Sequence, residues 1–266
     1  MKKIIAIGVF VFMTIALAAQ DSGEFAVPLS DPAKRGKLKA ELKFGSLTIR
    51  GTARKDVLIK YAALEGKKKT ERPAPEGLTR VGGGTLDLEV SENGNNVKVE
   101  SDSWSTRLNL EIEVPSGFDL NVSTYNSGDI LIENIQGELE IESYNGKIQA
   151  NQISGSMIAS TYNGPITVTF DKVKEGAPMS YSTYNGDVDL TFPAATKASF
   201  KMKTERGEIL SGFDMKMIAN NPVRKEDTKT GTYKVVIDKW IQGEVNGGGS
   251  EISMRNYNGN IIIRKK

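Results

Sequence analysis

Residues Ser143 to Val168 read SYNGKIQANQISGSMIASTYNGPITV. Tyr-Asn-Gly occurs twice in this stretch, at Tyr144 to Gly146 and at Tyr162 to Gly164, 18 residues apart. Inward and outward positions alternate around each copy. Leu139, Ile141 and Ser143 lead into the first, and Ile148 and Ala150 lead out of it. Met157, Ala159 and Thr161 lead into the second, and Ile166 and Val168 lead out. Period two belongs to a β-strand. A helix would place apolar residues at i, i+3, i+4 and i+7, and no such stretch follows residue 20.

Further copies lie on both sides. Tyr125-Asn126 is followed by Ser127-Gly128, and Tyr184-Asn185-Gly186 and Tyr257-Asn258-Gly259 come later. Glu205-Arg206-Gly207 is a degenerate copy, and Lys43-Phe44-Gly45 opens the series. The glycines at 128, 146, 164, 186 and 207 are spaced 18, 18, 22 and 21 residues apart. A second glycine series, Gly137 and Gly155, runs out of phase and is again spaced by 18. Each repeat therefore has two corners with short strands between them. Such a unit satisfies its backbone only by stacking on a neighbour about 4.8 Å away. The pattern predicts an all-β chain folded as a single β-solenoid, of the parallel β-helix or β-roll kind, with about 18–22 residues per coil. A meander of hairpins is the structural rival, because Asn-Gly also suits two-residue hairpin turns. The recurrence of residue identity once per coil favours the solenoid.

The corner residues expected from this reading are Asn126, Asn145, Gly146, Asn163, Gly164, Asn185, Gly186, Asn258 and Gly259. Glycine reaches positive φ without strain. The asparagines fall inward, where their amides form a ladder from coil to coil. Alternation from Ile141 turns Tyr144 outward. The same parity stacks Tyr125, Tyr144, Tyr162 and Tyr184 on the outer surface, with Tyr257 after them. Two readings follow. The tyrosines form a self-stacked ladder, worth about 0.2–1 kcal/mol per neighbouring pair, or an aromatic contact strip for sugar rings or a partner.

The chain opens MKKIIAIGVFVFMTIALAAQDSG, with two lysines, an apolar run from Ile4 to Ala19 and small residues before Gln20. This is the pattern of a secretory signal peptide over residues 1–19, cut after Ala18 or Ala19. The run is short of the ~20 residues of a membrane span. No later apolar span follows, so no integral membrane span is expected after cleavage. Without Lys2 and Lys3, 33 basic residues balance 33 acidic ones. That neutrality argues against a nucleic-acid partner, which needs concentrated positive charge. There is no cysteine, so lipoprotein acylation, thiol catalysis and thiolate metal sites are excluded. There is no histidine, which removes the commonest base and metal ligand.

A calcium β-roll needs Gly-Gly-x-Gly-x-Asp in successive coils. Asp129 and Asp187 follow a corner glycine, but Lys147 and Pro165 hold that place in the coils between. No metal and no cofactor is expected. Glu138, Glu140 and Glu142 alternate along one strand and read as a solvated outer face. The glycine runs at 81–84 and 246–249 lack the Gly-Lys-Ser/Thr and following helix of a phosphate loop. Beyond the leader, residues 20–34 read as a mobile lead-in. Residues 35–266 read as the solenoid, with irregular insertions near 65–84 and 213–232. The basic residues Arg264, Lys265 and Lys266 on the last strand are expected to discourage end-to-end pairing.

The order of segments carries a resemblance. LSDPAKRGKLKAELKFGSLTIRGT is followed by LEIEVPSGFDLNVSTYNSGDILIENIQG and by repeated Tyr-Asn-Gly coils. Then come FPAATKASFKMKTERGEI and NGGGSEISMRNYNGNIIIRK. From about residue 25 to the end, the chain resembles the adhesin-like family of bacterial β-strand-repeat proteins, a domain of unknown function common in Bacteroidetes. The resemblance implies an exported protein in the periplasm, at the cell surface or outside the cell. It implies no catalytic motif, and its partners would be an envelope glycan or an envelope protein. The expected function is a non-enzymatic, adhesin-like binding or structural module. The alternatives are a polysaccharide lyase-like, carbohydrate-active enzyme on a β-helix, by analogy of fold, and an envelope-stress component that binds a protein.

Overall fold

A computed structural model describes residues 21–65, 87–219, 223–227, 232–236 and 240–266. The expected signal peptide at 1–19 lies outside these residues, and the expected insertion near 65–84 almost wholly so. Every regular element among them is a strand. The chain begins with β1 (Asp21–Pro28), β2 (Lys37–Phe44), β3 (Leu47–Thr52), β4 (Asp56–Glu65), β5 (Glu89–Asn93), β6 (Asn96–Ser101) and β7 (Thr106–Pro115). The regular coils contain β8 (Asp119–Asn126), β9 (Ile130–Glu133), β10 (Glu138–Asn145), β11 (Ile148–Asn163), β12 (Ile166–Val173), β13 (Met179–Asn185) and β14 (Val188–Phe192). The remainder is β15 (Ala198–Arg206), β16 (Ile209–Ser211), β17 (Lys216–Ile218), β18 (Val223–Asp227), β19 (Thr232–Val236), β20 (Ile241–Val245), β21 (Ser250–Asn258) and β22 (Ile261–Lys265).

The fold is a β-solenoid. Leu139 lies opposite Leu120, Ile141 opposite Ala159, and Ala159 opposite Tyr181, all in parallel register. These offsets are one coil each, within the expected repeat. Two ladders run along the axis and are joined through β11, which turns the second corner at Gly155. Alternation fills the space between them. One column is Leu47, Ile130, Ile148, Ile166, Val188 and Ile261, all fully buried. The facing ladder contributes Ala40, Val122, Ile141, Ala159, Tyr181 and Met254. The large Tyr181 packs beside the small Ala159, so coil volume is kept. Each full burial of a large aliphatic side chain stabilises the stack by about 1.5–3 kcal/mol.

Coil order in space departs from order in sequence at both ends. The coil β2/β3 is flanked by β8/β9 on one side and β6/β7 on the other. The coil β21/β22 stands between β13/β14 and β15/β16. Lys43-Phe44-Gly45 therefore does not begin the stack, and Glu205-Arg206-Gly207 lies beyond the Tyr257 coil rather than before it. Arg264 and Lys266 do not guard an end either. β22 is interior, Arg264 pairs with Asp189 on β14, and Lys266 pairs with Asp171 on β12.

The outermost strands are antiparallel, unlike the coils. β4 lies on β7 and β1 on β4 at one end, where β5 also folds back on β6 through Gly94 and Asn95, both at positive φ. At the other end β20 lies on β15 and β17 on β20. The expected lead-in at 20–34 thus contains an edge strand. The insertion near 213–232 contains β17 and the strand β18, which pairs with β19. The sequence separates both segments from the coils, but it does not show the antiparallel pairing that joins β1 and β17 to the ends of the stack.

Candidate functional site

The site is built from the Tyr-Asn-Gly corner. The N–H of Gly146 donates to the Asn163 carbonyl at 2.9 Å, that of Gly164 to Asn185 at 2.8 Å, and that of Gly186 to Asn258 at 2.9 Å. The expected reason for glycine was positive φ, which holds at Gly164, Gly186 and Gly259. Gly146 and Gly128 have no such φ. The requirement at Gly146, Gly164, Gly186 and Gly259 is close approach. A β-carbon on Gly146 would lie 2.3 Å from the Gly128 carbonyl oxygen. Gly164, Gly186 and Gly259 meet the preceding corner glycine's carbonyl oxygen at the same distance.

The residue before each tyrosine satisfies those carbonyls. Thr161 Oγ1 donates to Gly146 O at 3.1 Å and Thr183 Oγ1 to Gly164 O at 2.9 Å. Asn256 Nδ2 donates to Gly186 O at 3.1 Å. In the degenerate copy, Thr204 Oγ1 before Glu205 lies 2.6 Å from Asn256 Oδ1 and 3.0 Å from Gly259 O. Buried carbonyls need such partners. The sequence signal was present as Ser or Thr before Tyr-Asn, but periodicity records only that the position faces inward.

The asparagines form one continuous amide ladder. Asn145 Nδ2 donates to Asn126 Oδ1 at 3.3 Å, Asn163 to Asn145 at 2.8 Å, Asn185 to Asn163 at 2.7 Å, and Asn258 to Asn185 at 2.7 Å. They are half-buried rather than sealed in the core.

Outside this ladder, Tyr125, Tyr144, Tyr162, Tyr184 and Tyr257 stack in one row. Their ring centroids are 4.8–5.2 Å apart and their planes lie within 6° of parallel. Each ring is 36–43% exposed. The inserted final coil is what brings Tyr257 against Tyr184. Trp104 meets Tyr125 edge-on at 5.1 Å, and the Arg206 guanidinium lies 5.6 Å from the Tyr257 ring centre. Both faces of every inner ring are thus occupied. The row presents ring edges and hydroxyls to solvent, not faces. Trp104 was not singled out in the sequence, because it lies in the connection between β6 and β7 and belongs to no repeat.

Two positions before each tyrosine the side chain again points outward. In stack order these residues are Glu41, Ser123, Glu142, Ser160, Ser182 and Arg255. With the tyrosines they line a trough of about 630 Å³ running along the solenoid axis. No hydrogen bond within the protein, among the described residues, uses the hydroxyls of the five stacked tyrosines or of Ser123, Ser160 and Ser182. Glu142 and Arg255 stand three rungs apart, about 14 Å at the spacing of neighbouring strands.

The remaining titratable chemistry is structural. Burial pushes the Tyr181 phenol well above its ordinary range, and its hydroxyl meets only Met179 Sδ at 3.5 Å. Asp129 Oδ1 accepts the Lys147 N–H at 3.1 Å, and Asp187 Oδ1 accepts the Asn260 N–H at 2.7 Å. These carboxylates tie corners together. Among the described residues no three metal-ligating side chains cluster, and no helix is long and apolar enough to cross a membrane.

These features define a β-solenoid with a tyrosine-ridged, hydroxyl-lined trough along one face. The chain belongs to the Toastrack DUF4097 family, whose model matches residues 79–239. Among solved structures it is similar to a "putative cell adhesion protein" from Clostridium sporogenes, at 13% identity and a TM-score of 0.51, covering 93% of this chain and 100% of that one. It is also similar to a "putative adhesin" from Bacteroides fragilis, at 12% identity and a TM-score of 0.39, covering 94% and 98%. The first likeness is one of fold, and the second is too loose to bear on it. No curated protein matches the chain.

Proposed function

We propose that the protein is an exported, non-enzymatic, adhesin-like module of the bacterial envelope that binds a linear glycan laid along its tyrosine trough. The observation that carries this reading is the straight row of tyrosine and serine hydroxyls without protein partners. Buried polar groups are usually paired, but a row left unpaired along a surface trough is free to bond a polyhydroxylated polymer. The contact is edge-on. Ring faces used in stacking cannot also stack on sugars, so the tyrosines act as a ridge of hydroxyls and the serines as a floor. Export rests on the leader sequence of residues 1–19.

A lyase-like enzyme on this face is the second reading: Glu142 stands three rungs from Arg255, and Glu205, the trough carboxylate on the strand beside Arg255, is ion-paired with Lys203 at 3.0 Å. Proton abstraction and charge stabilisation need groups that converge on one atom. The test is a glycan array probed with the protein lacking residues 1–19. It runs beside a variant in which Ser123, Ser160 and Ser182 are all changed to glutamine, which blocks the floor without setting like charges on the neighbouring rungs of 160, 182 and Arg255 and leaves the stacked rings. The expected outcome is binding that disappears in the variant while its circular dichroism and melting are unchanged. Glycan binding that survives the change would move the contact off this face. No glycan binding, with capture of one envelope protein instead, would favour the envelope-stress reading.

A further inference from the structure

The stacked tyrosines also form a reactive array. Four consecutive ring pairs lie 4.8–5.2 Å apart, nearly parallel, with every ring more than a third exposed. The chain has no cysteine, so no disulfide ties one coil to the next. We propose that this row is a site of oxidative cross-linking, where a peroxidase using hydrogen peroxide joins tyrosines on neighbouring rungs as dityrosine.

The chemistry balances with that oxidant. Each of two phenols gives up one electron and one proton and becomes a phenoxyl radical. The two radicals couple through ring carbons ortho to oxygen, forming one carbon–carbon bond. The coupled product carries two ketone oxygens, and transfer of each ortho hydrogen to the ketone oxygen of its own ring through solvent restores both phenols. One hydrogen peroxide takes up the two electrons and two protons and leaves as two waters. In solution the slow step is the meeting of two such groups. On the ladder the partner is already in contact, which converts a bimolecular encounter into an intramolecular one. Tyr181 is fully buried and does not compete. A link made here bridges coils distant in sequence and constrains the unfolded chain as a disulfide would.

The Tyr184–Tyr257 pair is the most telling, because the two are neighbours only through insertion of the final coil. The experiment treats the purified protein with a peroxidase and hydrogen peroxide, then reads intact mass, dityrosine fluorescence and linked peptides. The expected result is a monomer lighter by two hydrogens per link, with links confined to neighbouring rungs and Tyr184–Tyr257 among them. It should melt at a higher temperature than the untreated protein. Tyr162→Phe keeps a ring in the stack. It should abolish links to position 162 while the Tyr125–Tyr144 and Tyr184–Tyr257 links remain. Products that are mainly intermolecular dimers would overturn the proposal. So would the same link pattern and yield in denaturant.

Discussion

The two outer faces of the solenoid are built from the same alternation and end in different states. On the face carrying β3, β9, β14 and β22 the charges pair with one another. Arg50 Nε lies 2.8 Å from Glu133 and Arg264 Nε lies 2.8 Å from Asp189, each across strands of different coils. On the face carrying β8, β10, β13 and the second half of β11, Asn121 bonds Glu140 at 2.7 Å and Glu138 pairs with Lys174, but toward the Tyr-Asn-Gly corner the tyrosine and serine hydroxyls make no hydrogen bond among the described residues. The first face meets its charges internally, although its outward Thr167, Thr169 and Thr191 make no hydrogen bond either; the second is set apart by hydroxyls aligned in one row along a trough. Exposed ion pairs add little stability, typically ~0–1 kcal/mol, so the paired face is chiefly a closed one. The open face keeps a ridge whose order comes from ring stacking and from the amide ladder behind it.

The largest change that breaks this contrast removes both faces together. Gly146→Val places a side chain where a β-carbon alone would lie 2.3 Å from the Gly128 carbonyl oxygen. The coils would have to part, and the expected cost is about 4 kcal/mol or more, the range of overpacking and lost backbone bonds combined. A thermal melt by circular dichroism should show no cooperative transition. A melt like that of the parent would mean that the corners do not set coil spacing.

Asn163→Leu acts on the open face alone. It removes the amide that donates to Asn145 and accepts from Asn185. With the neighbouring amides left half-buried and unpaired, a loss of about 1–3 kcal/mol is expected, measured by urea titration. The stacked rings should lose order as well, seen as a weaker near-ultraviolet tyrosine signal. Retention of that signal would show that the rings hold their own stack.

Asp119 marks the second corner and gives a pH signature. Burial pushes its carboxyl up. The Arg35 guanidinium and the Glu138 N–H, 2.7 Å from Asp119 Oδ1, outweigh that and hold it below the ordinary aspartate range. The stabilisation is therefore fully present above the unfolded-state value and is lost as pH falls through the lowered folded-state value. Asp119→Asn should melt below the parent at neutral pH, with the gap closing as pH falls below about 4, the unfolded aspartate's range, and through the lowered folded-state value. A gap independent of pH would assign the effect to packing. Smallest of all, Arg264→Ala on the paired face should lower the melting temperature only slightly, and the difference should shrink with added salt. Glycan binding should stay intact, and a loss of binding there would erase the distinction between the faces.

Much of this was legible in the residues, and the boundary of legibility has physical causes. The spacing of Tyr144 and Tyr162 gave the coil length, and alternation from Ile141 gave the outward side of each tyrosine. Neither could order the coils. Val122, Ile141, Ala159 and Met254 occupy equivalent inward positions, so any coil's pattern is compatible with any neighbour. Which coil sits last is decided by capping strands such as β20 and β5, whose antiparallel pairing has the same period. The sequence also left open whether the tyrosines offer faces or edges, since that depends on ring rotation against rings from other coils. Trp104 and Arg206, which occupy the outer faces of the row, come from outside the repeat altogether.

Insertion of the β21/β22 coil between β13/β14 and β15/β16 has a consequence for assembly in time. A solenoid stacked in sequence order could grow by accretion, each new coil adding to the last. Here β14 and β16 lack a shared neighbour until residues 250–266 arrive, and β15 must meanwhile be held by other contacts, β20 among them. The pairing of Thr183 with Asn256 spans most of the second half of the chain, and contacts so distant in sequence slow folding. A chain emerging in order from a ribosome or a translocation channel would therefore expose an open slot until residues 250–266 have emerged. The keystone is delivered after both of its flanks, and until it is seated the arch on either side is only scaffolding.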